Sequence, residues 1–501
     1  MRKMVPEQMD LSRELPVVVG SVDYQEFTWR LVETDRLLRE TGIENDFVRK
    51  ALSGWEADGR ARAKKKGRKY REAGGKQLAR LQKMFRLALR CTIARMLTEK
   101  EYRPFSIRLP DSTLLQWFCG VERFEVVRVP GKSSIERYDK MVKEEDVSTL
   151  VNRLNILAVG GQVGLKTELD LEAYFSDSTC VKAAIHFPVD WILLRDGVRT
   201  LVKAILVIRK HGLKHRMPEP ETFLRQINGL CIGMSQSRRC EDSRKKRKKV
   251  LRQMKRLNRI VMAHAQQYRE KLSEGWQART DLKAGEVALI LKRIDGVLER
   301  LPVGIKQAHE RIIGERQVLS KDKILSLYER DIHVVVRGKA DAEVEFGNTM
   351  WLGEQSEGLI VDWKLLQDKN PGDTKLFRAS MKRIQNVFGC YPKSVAGDRG
   401  LWSEENKKWL KEEKIFNALC PRDVGELREC LRDDRFVDNQ KRRSQTEGRI
   451  GIMKNDFLGR PLRSKGFEHR KLAVTWAVLA HNLWLVTGLR WAEEKEKKKA
   501  A

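Results

Sequence analysis

Between residues 190 and about 325 the chain reads almost entirely as helix, and Arg238 to Lys271 carries few strand or turn signals. No sheet can run through such a segment, yet strand-like runs stand on both sides of it. Upstream, Leu169 to Thr179 (LDLEAYFSDST) reads as a strand ending in a polar turn. Ile185-His186-Phe187-Pro188 is extended, because proline forces its predecessor out of the helical region. Downstream, Ile332 to Val336, Ala342 to Phe346, Thr349 to Leu352 and Gly358 to Leu366 alternate or run apolar between Gly and Asn turns, as in an antiparallel meander. A helix from about Thr374 to Phe388, a strand Ser394-Val395-Ala396, a helix Glu404 to Glu413, a strand Ile415 to Leu419 and helices from about Asp438 to Arg490, broken at Gly459 to Gly466, complete the pattern. The alternation calls for an α/β fold whose sheet is interrupted after its first strand by a long helical insertion.

Charge narrows the partner. Lys and Arg number 100 against 69 Asp and Glu, a formal charge of +31 that points to a polyanion. Two basic concentrations stand out. Arg60, Arg62, Lys64, Lys65, Lys66, Arg68 and Lys69 precede an amphipathic run of Leu78, Leu81, Met84, Phe85, Leu87, Leu89 and Ile93 in the mainly helical first 165 residues. Arg244, Lys245, Lys246, Arg247, Lys248, Lys249, Arg252, Lys255, Arg256 and Arg259 crowd the insertion, with Val250, Met254, Leu257, Ile260 and Val261 as an apolar stripe. Such density of one sign repels itself unless an anion neutralises it, so both are expected to face nucleic-acid phosphate rather than solvent alone.

The eight cysteines include no CxxC pair, so neither a zinc ribbon nor a disulfide framework is indicated, and the chain reads as a cytoplasmic protein with reduced thiols. Leu15 to Val19 is too short for a signal peptide. Leu472 to Leu489 is uncharged and approaches the ~18 residues of a minimal membrane span, but it contains Thr475, His481, Asn482, Thr487 and Gly488. A core helix lying on a sheet is the expectation, with no membrane involved. His211 and His215 have the spacing of a zinc pair without a third ligand, and are read as surface histidines.

Three acids stand where strands end or a helix follows them: Asp177 at the end of the first strand, Asp398 between a strand and a Gly turn, and Glu447 on the helix after the last strand. Taken singly, an Asp before Gly is a turn residue and a helical Glu among basic residues a solvated ion pair. Together they suit phosphoryl transfer, which needs two divalent cations ~3.5–4 Å apart held by carboxylate oxygens. Arg443 lies four positions before Glu447 and Lys454 seven after it, spacings that return to one helical face. Asp362, inside the strand Leu359 to Leu366, is an alternative to Asp398. Asp190 and Glu345 read as structural or supporting acids.

With these residues in order, the chain resembles the DDE transposases of bacterial insertion sequences, in the group with a Y-x2-R-x3-E-x6-K pattern. Arg443, Glu447 and Lys454 match it, and Gln440 stands at the Tyr position. Asp177-Ser178-Thr179 with Ile185 to Asp190, and Gly397-Asp398-Arg399-Gly400, look like the first and second Asp regions. Val336-Arg337-Gly338-Lys339-Ala340, Val344-Glu345-Phe346-Gly347 and Leu479-Ala480-His481-Asn482-Leu483 add similarity.

The resemblance implies a ribonuclease H-like catalytic core and a polynucleotidyl transferase using Mg²⁺, two ions, with Mn²⁺ able to substitute. Asp177, Asp398 and Glu447 would ligate the metals. Arg443 and Lys454 would grip phosphates near the scissile bond, and Lys64, Lys65, Lys66, Arg68, Arg244, Lys245, Arg247, Lys248 and Arg252 would hold DNA. Transposon-end and target double-stranded DNA are the implied partners, with a homodimer on DNA in the bacterial cytoplasm. The expected organisation is a helical DNA-binding or dimerisation region over 1–165, the first part of the core over 166–198, the basic insertion over 199–325, the rest of the core over 326–490, and a charged tail over 491–501. A catalytically inactive DNA-binding derivative and a host nuclease of the same fold are the alternatives.

Overall fold

The computed structural model describes residues 15, 17–99, 101–121, 126–237, 242–320, 322–339 and 342–500, and divides into two units. Pro16, Arg238, Arg239, Cys240 and Ala340, all within segments read above, lie outside the described residues.

The first unit runs to Lys182 and takes up the chain again over Thr349–Ser464 and from Glu468 onward. Its N-terminal part is helical: α1 (Val22–Glu40), α2 (Ile43–Lys65), α3 (Gly75–Leu97), α4 (Tyr102–Asp111), α5 (Thr113–Cys119), α6 (Lys132–Tyr138) and α7 (Glu144–Val159). Ser112 starts α5 by accepting the Leu115 amide at 3.2 Å, the N-cap bond that Ser side chains supply. Then follows β1 (Ala173–Lys182).

The second unit, Ala183–Asn348 with Lys465–Phe467, holds α8 (Asp190–Lys210), α9 (Pro220–Gln236), α10 (Ser243–Arg279), α11 (Ala284–Ala308) and β2 (His333–Lys339). It is wider than the 199–325 insertion expected from sequence, because α8 contributes Leu193, Leu194 and Val198 to the core that α9, α10 and α11 share. The buried stripe of α10 is Leu251, Met254, Leu257, Val261 and Ala265, whereas Ile260, placed on that stripe from sequence, is exposed. Asp190 is buried and ion-paired with Arg311 at 2.9 Å, a structural acid as read from the sequence.

β3 (Ala342–Gln355) is one strand where two were expected. The chain runs through Gly347 and Asn348 without turning: Gly347 pairs with His333, and the Asn348 amide donates to the Asp331 carbonyl at 2.6 Å. Its residues up to Gly347 pair antiparallel with β2 in the second unit, and Met350–Glu354 pair antiparallel with β4 (Ile360–Leu365) in the first.

The first unit continues with α12 (Asp373–Phe388), β5 (Ser394–Gly397), α13 (Glu404–Glu412), β6 (Phe416–Leu419), α14 (Val424–Cys430), α15 (Asp434–Arg442), α16 (Ser444–Ile452), a π-helical turn over Met453–Leu458, and α17 (Phe467–Ala500). Its strands lie in the order β4-β3-β1-β5-β6, with β1, β5 and β6 mutually parallel. Gly353 is required on β3 because a Cβ there would stand 1.8 Å from the Tyr174 hydroxyl.

Two boundaries depart from the sequence reading for local reasons. β1 does not end in a turn at Asp177-Ser178-Thr179 but continues to Lys182, since Thr179 and Val181 are β-branched and Asp177 satisfies itself by accepting the Ser178 amide at 2.7 Å. Helix resumes after β6 already at Val424, in α14, and again at Asp434 rather than Asp438, where the Asp433 side chain caps α15 by accepting the Arg435 amide at 2.9 Å. Among the described residues α17 alone is long and apolar enough to cross a membrane, and 72% of that apolar window is buried inside the protein, as a core helix requires.

Candidate active site

Parallel pairing sets the first two acids side by side. The register of β1 and β5 runs from Ala173 opposite Ser394 to Phe175 opposite Ala396. Two residues beyond that last pair lie Asp177 on one strand and Asp398 on the other, where β5 stops at Gly397. Asp177 therefore sits mid-strand rather than at a strand end, and it is the end of its neighbour β5 that opens the space beside it. Gly397 fits that edge because a Cβ would meet the Leu401 Cδ2 at 2.7 Å. The Asp398 Oδ1 accepts the Gly400 amide at 2.9 Å, which fixes the carboxylate within its own turn.

Glu447 comes from α16. Arg443 stands at the α15–α16 junction, and its Nη1 lies 3.6 Å from the Glu447 Oε1, one helical turn on. The i, i+4 spacing read from the sequence thus becomes an ion pair in the structure. Lys454 follows in the π-helical turn and donates to the Thr179 Oγ1 at 2.5 Å. Thr179 is two residues from Asp177, hence on the same face of β1.

The electrostatics tie the group together. Burial pushes the Asp177 carboxyl up to about 6; the Ser178 amide opposes that, the Asp398 and Glu447 carboxylates add to it, and Arg443 opposes it again. The structure thus brings together all five residues read as the catalytic constellation. It does not draw the acids into a closed cage: among the described residues, no three His, Cys, Asp or Glu side chains converge closely enough to hold a metal ion. The donor chemistry nonetheless suits a hard divalent cation, since one desolvated carboxyl faces two like charges.

A raised acid pKa destabilises the fold at neutral pH. Between 3.8 and about 6 the native state binds more protons than the unfolded chain, so this penalty grows through that interval and is complete above it. Asp177→Asn, which keeps the acceptor for Ser178, is expected to stabilise the protein at pH 7 by up to about 3 kcal/mol, with the gain vanishing below pH 4. Denaturant midpoints at pH 7 and pH 4 measure this, and equal midpoints for variant and wild type at pH 7 would refute it.

Sequence reasoning missed several participants. Asp373, at the start of α12, accepts the Ser178 hydroxyl at 3.1 Å and the Asn370 amide at 2.9 Å, so a fourth carboxylate is bonded to the residue that follows Asp177. Nothing local marks it, because an acid in the first turn of a helix is ordinary. Glu354 is fully buried and paired with Arg449 at 2.8 Å. Arg449 also lies 3.0 Å from the His481 Nε2, and His481, pushed down to about 3 by burial and by Arg449, stays neutral. The His481-Asn482 pair, noted only as a resemblance, continues this network: the Asn482 amide donates to the Ile360 carbonyl at 2.8 Å and to the Asn155 Oδ1 at 2.9 Å.

The other candidates separate clearly. Asp362 is buried and gripped by two Arg383 nitrogens at 2.7 and 2.6 Å, which makes it a structural acid and no alternative to Asp398. His211 lies 2.5 Å from an Asp281 oxygen and His215 3.1 Å from the Gln267 Oε1. Lys64 and Lys65 end α2, Lys66 and Arg68 follow it, and all four are exposed. On α10, Arg244, Lys245 and Arg252 are exposed, whereas Lys248 pairs with Glu315 at 2.8 Å and Arg247 lies 5.3 Å over the Trp191 ring.

No curated protein and no solved structure matches the chain. Residues 353–483 match a family model, and that range contains Asp398, Arg443, Glu447, Lys454, the Glu354–Arg449 pair and His481, while Asp177 lies upstream of it. The model is that of the transposase DDE domain, so over residues 353–483 this chain is similar to the DDE transposases.

Proposed function

We propose that this transposase binds the ends of its element, cuts them by metal-dependent phosphodiester hydrolysis and joins the freed 3′-OH ends to target DNA. The observation that carries the reading is the parallel β1–β5 pairing that sets Asp177 and Asp398 side by side, with Glu447 and Arg443 near enough to act on the raised Asp177 carboxyl. A desolvated carboxyl with two further carboxylates and a guanidinium acting on it suits a site completed by divalent cations and a phosphate. The strand order β4-β3-β1-β5-β6, with β1, β5 and β6 parallel, supports a ribonuclease H-like core.

Asp177, Asp398 and Glu447 would hold the cations, Mg²⁺ first and Mn²⁺ as substitute. When bound, these supply Lewis-acid activation of water and charge neutralisation at the leaving oxygen. The chain's own side chains do the rest. Arg443, on a helix junction, offers a forked donor to a phosphate, and Lys454 a point charge held toward β1 through Thr179. A homodimer on paired DNA ends, acting in the cytoplasm, completes the reading.

A strand-transfer assay tests it. Purified protein with Mg²⁺ and DNA bearing the element's ends should yield products in which end 3′-OH groups are covalently joined to a plasmid. Cleavage without joining would reduce the protein to a nuclease. Terminal inverted repeats bounded by a short direct duplication should flank the coding region.

The exposed cations of the second unit carry their own expectation. Replacing Arg244, Lys245 and Arg252 with alanine should lower the slope of log K against log salt by about 0.9 for each residue that contacts phosphate. Fluorescence anisotropy between 50 and 300 mM KCl reads this, and an unchanged slope would remove the α10 face from the DNA interface.

A further inference from the structure

We propose that Gln440 is a positioning residue, whose carboxamide pins the ends of β5 and β6 and thereby sets where Asp398 stands relative to Glu447. The inference rests on the reading of Asp398 and Glu447 as catalytic carboxylates. The Gln440 Nε2 donates to the Gly397 carbonyl at 3.1 Å and to the Ala418 carbonyl at 2.5 Å. These carbonyls belong to neighbouring parallel strands at the point where their pairing runs out, Gly397 opposite Leu419 being the last pair.

A side-chain amide is suited to this because it carries two N–H donors on one nitrogen, one for each strand. Gly397 precedes Asp398 directly, so the bond acts on the peptide that carries the catalytic carboxylate. Its carbonyl also accepts the Cys420 amide at 3.1 Å, and is held from two directions.

The same helix is fastened a second time by a different force. Phe436, one turn before Gln440, is buried in the apolar cluster with Ala173, Phe175, Ala396 and Ala418. Burial is non-directional and holds α15 against the sheet without fixing its position along the strands. Hydrogen bonds to two particular carbonyls do fix it. Since α15 leads into Arg443 and α16, that position carries over to Glu447, and Gln440 couples the two halves of the site.

The test compares Gln440→Leu, which removes both donors, with Gln440→His, which retains one. Phe436→Leu serves as a control that loosens the same helix, and Asp398→Ala as a control for the site. Mn²⁺ is titrated into each metal-free protein by calorimetry, and kcat and KM are measured for cleavage of end-bearing DNA. Gln440→Leu should weaken Mn²⁺ binding and lower kcat by about 10-fold or more, with KM for DNA nearly unchanged. Gln440→His should fall between it and wild type. Phe436→Leu should lower thermal stability while leaving Mn²⁺ affinity and kcat within twofold.

Wild-type Mn²⁺ affinity and kcat in both Gln440 variants, with Asp398→Ala inactive, would overturn the inference and leave the catalytic reading intact. Equal Mn²⁺ losses in Phe436→Leu and Gln440→Leu would overturn it too, by assigning the effect to general loosening. Cleavage by Asp398→Ala would instead remove the reading on which the inference rests.

Discussion

Glu447→Ala should bind end DNA at least as tightly as wild type and fail to cut it. The side chain is largely exposed, 61% of its surface being accessible, and among the described residues it is ion-paired with Arg443 alone, so little of the fold depends on it. Removing a negative charge from a phosphate-facing surface favours the polyanion, and frees Arg443 to contact it. On the proposed mechanism, cleavage loses one of the carboxylates that would hold the cations, an effect of several kcal/mol. At about 1.4 kcal/mol per tenfold this is roughly 10³-fold in rate. Gel shift and single-turnover cleavage on one labelled end fragment give both quantities. Retained cleavage would remove Glu447 from the catalytic set, and a parallel loss of binding would make its role one of folding or docking.

The second large effect is on stability. Arg449→Ala leaves the Glu354 carboxylate fully buried without the guanidinium that neutralises it. Breaking a buried pair from one side costs about 3–5 kcal/mol, well beyond most substitutions. His481 cannot take over, because its own burial keeps it neutral. The double variant Glu354→Gln, Arg449→Met should recover much of the loss, since no unpaired charge then remains. Denaturant unfolding of Glu354→Gln, Arg449→Met and the double variant forms the cycle. Additive single effects would show that the two side chains are not energetically coupled. Arg449 is two residues from Glu447, so the single variant should also slow cleavage by loosening α16.

What could be read from sequence follows the range of the interactions. The helical insertion and the alternation of elements around it are periodic signals carried by neighbouring residues, and they survive in the structure. Asp398 was legible because a strand, a Gly and a turn mark it locally. Asp177 was found, but its strand was ended too soon: a polar Asp-Ser-Thr run resembles a turn until Thr179 and Val181 are given their strand propensity. Asp373, Gln440 and the Glu354–Arg449 pair were not legible, because each acts on a partner tens or hundreds of residues away. Composition at those positions is unremarkable, and only the fold gives them roles. Gln440 shows this best, since it was seen only as a departure from a motif, whereas the structure gives it two bonds at the edge of the site.

The most direct measurement is cleavage of end-bearing DNA in Mg²⁺ by four proteins: wild type, Asp177→Ala, Asp398→Ala and Glu447→Ala. If the three carboxylates act as one centre, only the wild type cuts, while all four bind the same DNA. Equal residual cleavage in all four would contradict a shared catalytic centre.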